Sequence, residues 1–259
     1  MCDRRQFVIG ILLWGFGLSV SAQPPTLRIA AAADLQPLLP SVLANFEKQT
    51  GIAAEASYQS SSTLATQIIN GAPFDLFLAA DLSFPQRVID AGRAGESRPI
   101  AYARGTLALW TRNDSGVKNL SLEALNGPAI QSIAIANPEH APYGRAAQAA
   151  LRHAGLLEAV RSRLVVAENI AQAAQYADSG NAQAGLISLT SALTPRLQRD
   201  GHFIRVPAGD YPPILQGAVV IRNSAEADTA RRFLHFLRDP ATARALAARG
   251  LEPAGPSKP

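Results

Sequence analysis

The sequence predicts a two-lobed α/β protein in which each lobe is a mostly parallel sheet flanked by helices, with two hinge crossings between the lobes. Three observations carry this. Short apolar runs alternate with helical stretches in two separate series, long extended runs stand at 100–110 and 214–221, and two amphipathic helices close the chain.

The first series has strands at 27–33, 52–58 and 76–79, followed by helices reaching about 49, 70 and 91. Three strand–helix units in succession argue for parallel strands with helices on both faces. The run 100–110 ends at Asn113-Asp114-Ser115-Gly116, a turn. The second series has strands at 132–136, 164–167, 184–188 and 203–206, with helices to about 153, 177 and 198. After Pro212-Pro213 come the run 214–221 and helices at 225–237 and 241–249, which would return to the first lobe. The expected organisation is therefore 26–103 for lobe one, 104–215 for lobe two and 216–254 for the return, with a single larger sheet as the alternative. Pro40 is awkward for the first helix, because it lacks the N–H that a helix interior uses. Hinged α/β lobes place a ligand in their cleft, against helix N-termini at the carboxyl ends of the strands.

Residues 1–22 read as a segment apart. Arg4-Arg5, the apolar run 7–20 and the small residues Ser21-Ala22 make the pattern of a secretory signal peptide cleaved after Ala22. The run is short for a membrane span, and nothing downstream approaches about 20 consecutive apolar residues. Arg4-Arg5-Gln6-Phe7 also fits a twin-arginine motif, although Asp3 stands where that motif prefers Ser or Thr, so the Sec and twin-arginine routes both stay open. Cys2 is the only cysteine and would leave with this segment, taking disulfide and thiol chemistry with it. The net charge of +4 becomes +3 without Arg4, Arg5 and Asp3. The basic residues are scattered, which argues against a nucleic-acid surface and suits an anionic ligand.

Four strand-to-helix turns are suited to anions. Gln59-Ser60-Ser61-Ser62-Thr63 gathers hydroxyls and free backbone N–H groups at a helix start, although one capping serine would account for the run equally well. In Asn137-Pro138-Glu139-His140-Ala141-Pro142-Tyr143-Gly144, Pro142 shapes a first turn and Gly144 permits close backbone approach. Glu168-Asn169-Ile170 offers a cap at Asn169 and a free N–H at Ile170. The fourth turn, Ala31-Ala32-Ala33-Asp34-Leu35, follows the first strand, with Asp34 placed as a helix cap.

These segments, in this order, resemble the periplasmic molybdate-binding protein family over about 27–251. The resemblance rests on the four turns and on Gly71-Ala72-Pro73-Phe74-Asp75-Leu76-Phe77. It implies a type II periplasmic binding fold with the ligand held between lobes by serine hydroxyls, backbone amides and often a tyrosine hydroxyl. It further implies molybdate or tungstate as ligand, no cofactor, an ABC-transporter permease in the membrane as partner, a periplasmic location and a monomer. By position, Ser61 matches the family's central serine, and Tyr143 and Ile170 match residues that offer backbone amides. Asp34 stands where a serine gives hydroxyl and amide, and Ser188 where a tyrosine hydroxyl is often found. The candidate ligand-binding set is thus Asp34, Ser61, Tyr143, Ile170 and Ser188. The Tyr143 hydroxyl is the candidate replacement for the donor lost at Ser188; a cleft-wall ring facing water is the alternative.

Asp34 sets a condition on the ligand. An ionised carboxylate about 4 Å from a dianion costs on the order of 8 kcal/mol at an effective dielectric near 20. Asp34 must therefore turn away as a cap, bind in protonated form, or accept a proton carried by a ligand such as phosphate or arsenate.

Other function classes find less support. No Gly-x-Ser-x-Gly, His-Glu-x-x-His or Gly-x-x-x-x-Gly-Lys motif is present, which argues against an exported hydrolase and against an enzyme generally. His140, His153, His202 and His235 form no metal-ligand spacing. A ferric-ion binder on the same fold would need Tyr143, His140 and Asp34 to converge, with Tyr211 as an optional fourth donor; its place in Asp210-Tyr211-Pro212-Pro213 near the hinge argues for packing instead.

Overall fold

The computed structural model describes residues 26–255. Its first sheet is organised around β1 (Leu27–Ala32), whose side chains alternate between two helical layers. Leu27, Ile29 and Ala31 pack toward α1 (Leu39–Thr50) and α9 (Ala227–Arg238), where Phe46 meets Phe233 edge to face at 5.0 Å. Ala30 packs the other way, toward α2 (Ser61–Ile69) and α3 (Ser83–Asp90). β2 (Ala54–Gln59) lies at the sheet edge and shows the alternation of a half-buried strand. With β3 (Leu76–Ala79), β4 (Ile100–Gly105), β10 (Ile214–Val220) and β11 (Leu251–Pro253), the order is β11-β4-β10-β3-β1-β2. β1 pairs in parallel with β2 and β3, while β10 runs antiparallel to β3 and β4. α10 (Pro240–Ala247) adds Leu246 to the layer that holds α1 and α9.

The second sheet has the order β7-β6-β8-β5-β9, formed by β5 (Leu107–Arg112), β6 (Ile133–Ala136), β7 (Leu164–Ala167), β8 (Ala184–Ser188) and β9 (Gly201–Arg205). α4 (Pro142–His153), α5 (Leu157–Val160), α6 (Ile170–Asp178), α7 (Leu189–Ala192) and α8 (Pro195–Asp200) are its helices. β6 is parallel to β7 and β8, and β5 is antiparallel to β8 and β9. Both sheets are thus mixed: parallel within each strand–helix series, antiparallel where the strands flanking the crossings join.

Of the two long runs expected to cross between the lobes, one does. The run 100–110 is two strands in different sheets, β4 and β5, with Thr106 between them. The run 214–221 does not cross; β10 lies wholly in the first sheet, so the chain returns earlier, through 206–213. Both strands are buried by neighbours on two sides, which makes a buried strand and a crossing look alike in sequence. Pro40 causes no difficulty, because it falls in the first turn of α1, where its missing N–H has no acceptor to lose. Among the described residues no helix is long and apolar enough to cross a membrane.

Gly144 sets how closely α4 approaches β6. A Cβ there would sit inside contact distance of the Ala136 carbonyl oxygen, which is backbone and cannot swing aside. Gly144→Ala should cost about 1–3 kcal/mol of stability by overpacking, read as a lower urea midpoint with an unchanged slope.

Candidate functional site

Three helices begin at one place in the seam between the sheets. α2 follows β2, α4 follows β6 and α6 follows β7, and a cavity of about 10 Å³ lies among Ser61, Tyr143, Ile170, Asp34 and the small residues Ala32, Ala33, Ala80 and Ala141. The apolar packing is continuous across this seam, since Ala32, Ala33 and Ala80 from the first sheet join Ala141, Tyr143 and Ile170. The seam is therefore closed.

Local capping decides which N–H groups remain free. Ser60 caps α2, its Oγ accepting from Thr63 N at 3.2 Å, and Asn169 caps α6, its Oδ1 accepting from Gln172 N at 3.0 Å. Each cap satisfies the third residue's N–H and leaves that of the first, Ser61 or Ile170, without an intrahelical acceptor. At α4 Pro142 occupies the first position without an N–H, so Tyr143 offers the first amide. The capping alternative for the serine run thus belongs to Ser60. Ser61 Oγ instead accepts from Ala80 N at 3.0 Å and is nearly inaccessible, which leaves its hydroxyl hydrogen to be donated.

Asp34 closes the opposite side. It lies in a 3-10 turn, Ala33–Leu35, and is fully buried; its side chain makes no capping bond, so the expected cap is not formed. Its Oδ2 accepts from Tyr143 Oη at 3.1 Å and from Gln216 Nε2, whose Oε1 in turn accepts from Tyr102 Oη at 2.6 Å. The Asp34 carbonyl accepts from Thr190 Oγ1 at 2.7 Å. Oδ1 has no partner. Burial pushes the carboxyl up to about 7, against the opposing effect of the Gln216 and Tyr143 hydrogen bonds. Burial, joined by the nearby Asp34, also raises Tyr143 and Tyr102 well above the usual phenol range, so both remain neutral donors.

Two of the expectations meet different partners. The Tyr143 hydroxyl is spent on Asp34 rather than replacing a lost ligand donor, and a Cβ on Gly105 would collide with it. Ser188 is buried but lies outside the cavity lining; its Oγ caps α7, accepting from Ser191 N at 3.3 Å. Its position at the end of β8 gives the same sequence signal whether it caps or binds. Gln216, Tyr102 and Thr190 were not singled out from the sequence. Gln216 alone carried a signal, as a lone amide in the apolar strand ILQGAVV. The ferric alternative is not favoured: His140 does not line the cavity, and Tyr211, whose hydroxyl accepts from Leu107 N at 3.0 Å at the crossing, lies away from it and packs there as its sequence context suggests. Among the described residues no group of three His, Cys, Asp or Glu side chains is placed to hold a metal ion.

Two mixed α/β sheets with helix starts gathered in the seam between them define the class of the bacterial solute-binding proteins. Residues 27–252 match the profile of the family described as bacterial extracellular solute-binding protein. The molybdate-binding protein ModA of Azotobacter vinelandii is 33% identical over 233 residues, covering 90% of this chain and 92% of that protein. ModA of Rhodobacter capsulatus is 32% identical over 224 residues, 86% and 87% of the respective chains. The solved periplasmic molybdate-binding protein of Azotobacter vinelandii superposes with a TM-score of 0.81 at 32% identity, covering 87% of this chain and 98% of its own. The chain belongs to this family of molybdate-binding solute-binding proteins.

The hydrogen bond from Ala80 N to Ser61 Oγ has a consequence for stability independent of any ligand. Ser61→Ala leaves a buried N–H without an acceptor, which should cost about 1–3 kcal/mol, measured as a lowered denaturation midpoint of the ligand-free protein.

Proposed function

We propose that this protein captures a tetrahedral oxyanion, molybdate or tungstate, in the seam between its lobes and delivers it to the membrane permease of an ABC transporter. It is a binding component that works outside the cytoplasm, not an enzyme, and it needs no cofactor. The single observation that carries the reading is the meeting of three helix starts, at Ser61, Tyr143 and Ile170, in one closed seam. Free amides and the positive ends of three helix dipoles make an anion site without a cation. The names of the relatives at 33% and 32% identity favour molybdate over phosphate or arsenate.

In this reading the donors are the amides of Ser61, Tyr143 and Ile170 and the hydroxyl of Ser61. Asp34 contributes as described below, and Ser188 supports α7 rather than the ligand. The lobes, 26–105 with 214–254 and 107–205, swing about Thr106 and 206–213 to admit the anion. A monomer is the state that the family resemblance implies. The proposed signal peptide, 1–22, lies outside the described residues; its sequence pattern supports cleavage after Ala22 by either export route.

Calorimetric titration with molybdate, tungstate, sulfate, phosphate and arsenate tests the ligand class, and binding of none would remove the reading. Ser61→Ala should weaken molybdate binding by roughly 1.5–3 kcal/mol, the range for a hydrogen bond to a charged group, or about ten- to 150-fold. Small-angle scattering should show the protein compacting on binding; an unchanged radius of gyration across saturating molybdate would count against closure.

A further inference from the structure

We propose that anion capture by this protein is linked to proton uptake: Asp34 enters the closed seam as a neutral acid and donates a hydrogen bond from Oδ1 to an oxygen of the anion. This rests on the oxyanion-binding reading and specifies how pH regulates that same site.

The geometry gives the two carboxyl oxygens different roles. Oδ2 already accepts from Tyr143, across the seam, and from Gln216 on its own side. Oδ1 is buried with no partner, in a residue that lines the same cavity as the amides of Ser61, Tyr143 and Ile170. A proton on Oδ2 would displace one of two existing donors. On Oδ1 it displaces nothing and converts an orphaned acceptor into a donor. The proton comes from solvent as the seam closes, and no bond other than that O–H forms.

Among the described residues no cation is paired with the ionised form. The elements packed most closely on the Ala33–Leu35 turn are β2, α6 and α7, and Arg249, near the chain's end, is bonded to the Pro37 and Leu38 carbonyls that follow it. β2 carries Glu55 and Tyr58, α6 carries Tyr176 and Asp178, and α7 carries no titratable group; Asp178 is paired with Arg196. From α4 comes Tyr143, while Arg145 of that helix is turned to Asp81. β4 presents Tyr102 through Gln216 of β10, and its Arg104 is exposed. Asp34 has no ion-pair partner among the described residues. Burial raises its carboxyl to about 7 in spite of the hydrogen bonds that favour the ionised form, and a dianion beside it acts in the same direction as burial.

The sign follows from the two states. With the lobes apart, Tyr143, α6 and α7 leave Asp34, and its carboxyl moves down toward the ordinary value of about 3.9; closed on an anion, it titrates at about 7 or above. Between those values the closed complex holds one proton more than the open protein, so affinity is highest at the acidic end. It falls as pH rises, by up to about tenfold per pH unit.

Calorimetry of the full-length protein with molybdate at pH 6, 7 and 8, in buffers of differing ionisation enthalpy, tests this. The expected result is uptake of nearly one proton per molybdate at pH 6 and an affinity that falls at least about tenfold by pH 8. In Asp34→Asn the amide oxygen can accept from Tyr143 and Gln216 while the NH2 takes the place of the protonated Oδ1, so binding should persist without proton uptake and with a flat pH profile. Tyr143→Phe removes a donor that favours the ionised form, and should move the midpoint of the pH profile upward. Wild-type protein that binds molybdate with a flat profile and no buffer-dependent enthalpy overturns the proposal and leaves the oxyanion reading standing. Wild-type protein that binds no oxyanion of the panel overturns both. The wild-type measurements decide the matter whether or not either variant folds.

Discussion

An anion in a dry seam must be held by groups whose own desolvation is already met by the fold, and unpaired N–H groups at helix starts satisfy that constraint. They are fixed by the helices behind them and carry the positive end of the helix dipole without a mobile side chain. The rest of the architecture follows from bringing three such starts together. β2, β6 and β7 end side by side at the seam, so α2, α4 and α6 set out from neighbouring points. The residues between them are small: Ala32, Ala33, Ala80 and Ala141 let the two sheets meet with almost no free volume. Gly144 extends the same economy of space to the contact of α4 with β6.

Donors of this kind select by shape as well as charge. A guanidinium placed in the seam would attract an anion over several ångströms and in many orientations. Amide N–H groups act over hydrogen-bond range and point in set directions, so they reward an anion whose oxygens fall where the vectors meet. The charged groups nearest the seam are used elsewhere. Arg145 bonds to Asp81 across the seam and lies over Phe84, 5.4 Å from the ring centroid, which joins the lobes without addressing the cavity.

Most of the fold was legible in the sequence because its signals are local. Alternation and period set the strands and helices, and Ser60, Asn169 and Pro142 mark helix starts that lie in the seam. The positions of Ser61, Tyr143 and Ile170 at those starts were accessible for the same reason. What was hidden depends on partners distant in sequence. Whether Ser188 caps a short helix or binds a ligand turns on where α7 sits. Asp34 was recognised as a problem for a dianion, but neither its full burial nor its bond to Gln216, 182 residues away, could be read from its neighbours in sequence. The return crossing was misplaced because β10 reads as a long apolar run like the one that does cross, and only its pairing with β3 and β4 keeps it in the first sheet.

The buried network ties the cavity to the crossings. Asp34 bonds through Gln216 to Tyr102, and these two residues stand on β10 and β4, the strands that lead to and from the second lobe. Tyr143, the other partner of Asp34, rests against Gly105, the last residue of β4 before the crossing at Thr106. Beyond that crossing, Leu107 donates its N–H to Tyr211, which lies on the returning segment 206–213. The proton on Asp34, the seating of Tyr143 and the path of both crossings therefore belong to one continuous set of contacts. Opening the seam breaks the Asp34–Tyr143 bond and takes α6 and α7 away from the carboxyl, which lowers the desolvation cost of its ionisation. Ionisation thus favours the open form and protonation the closed one, so the charge of a single buried acid biases the same motion that exposes the amides to an incoming anion.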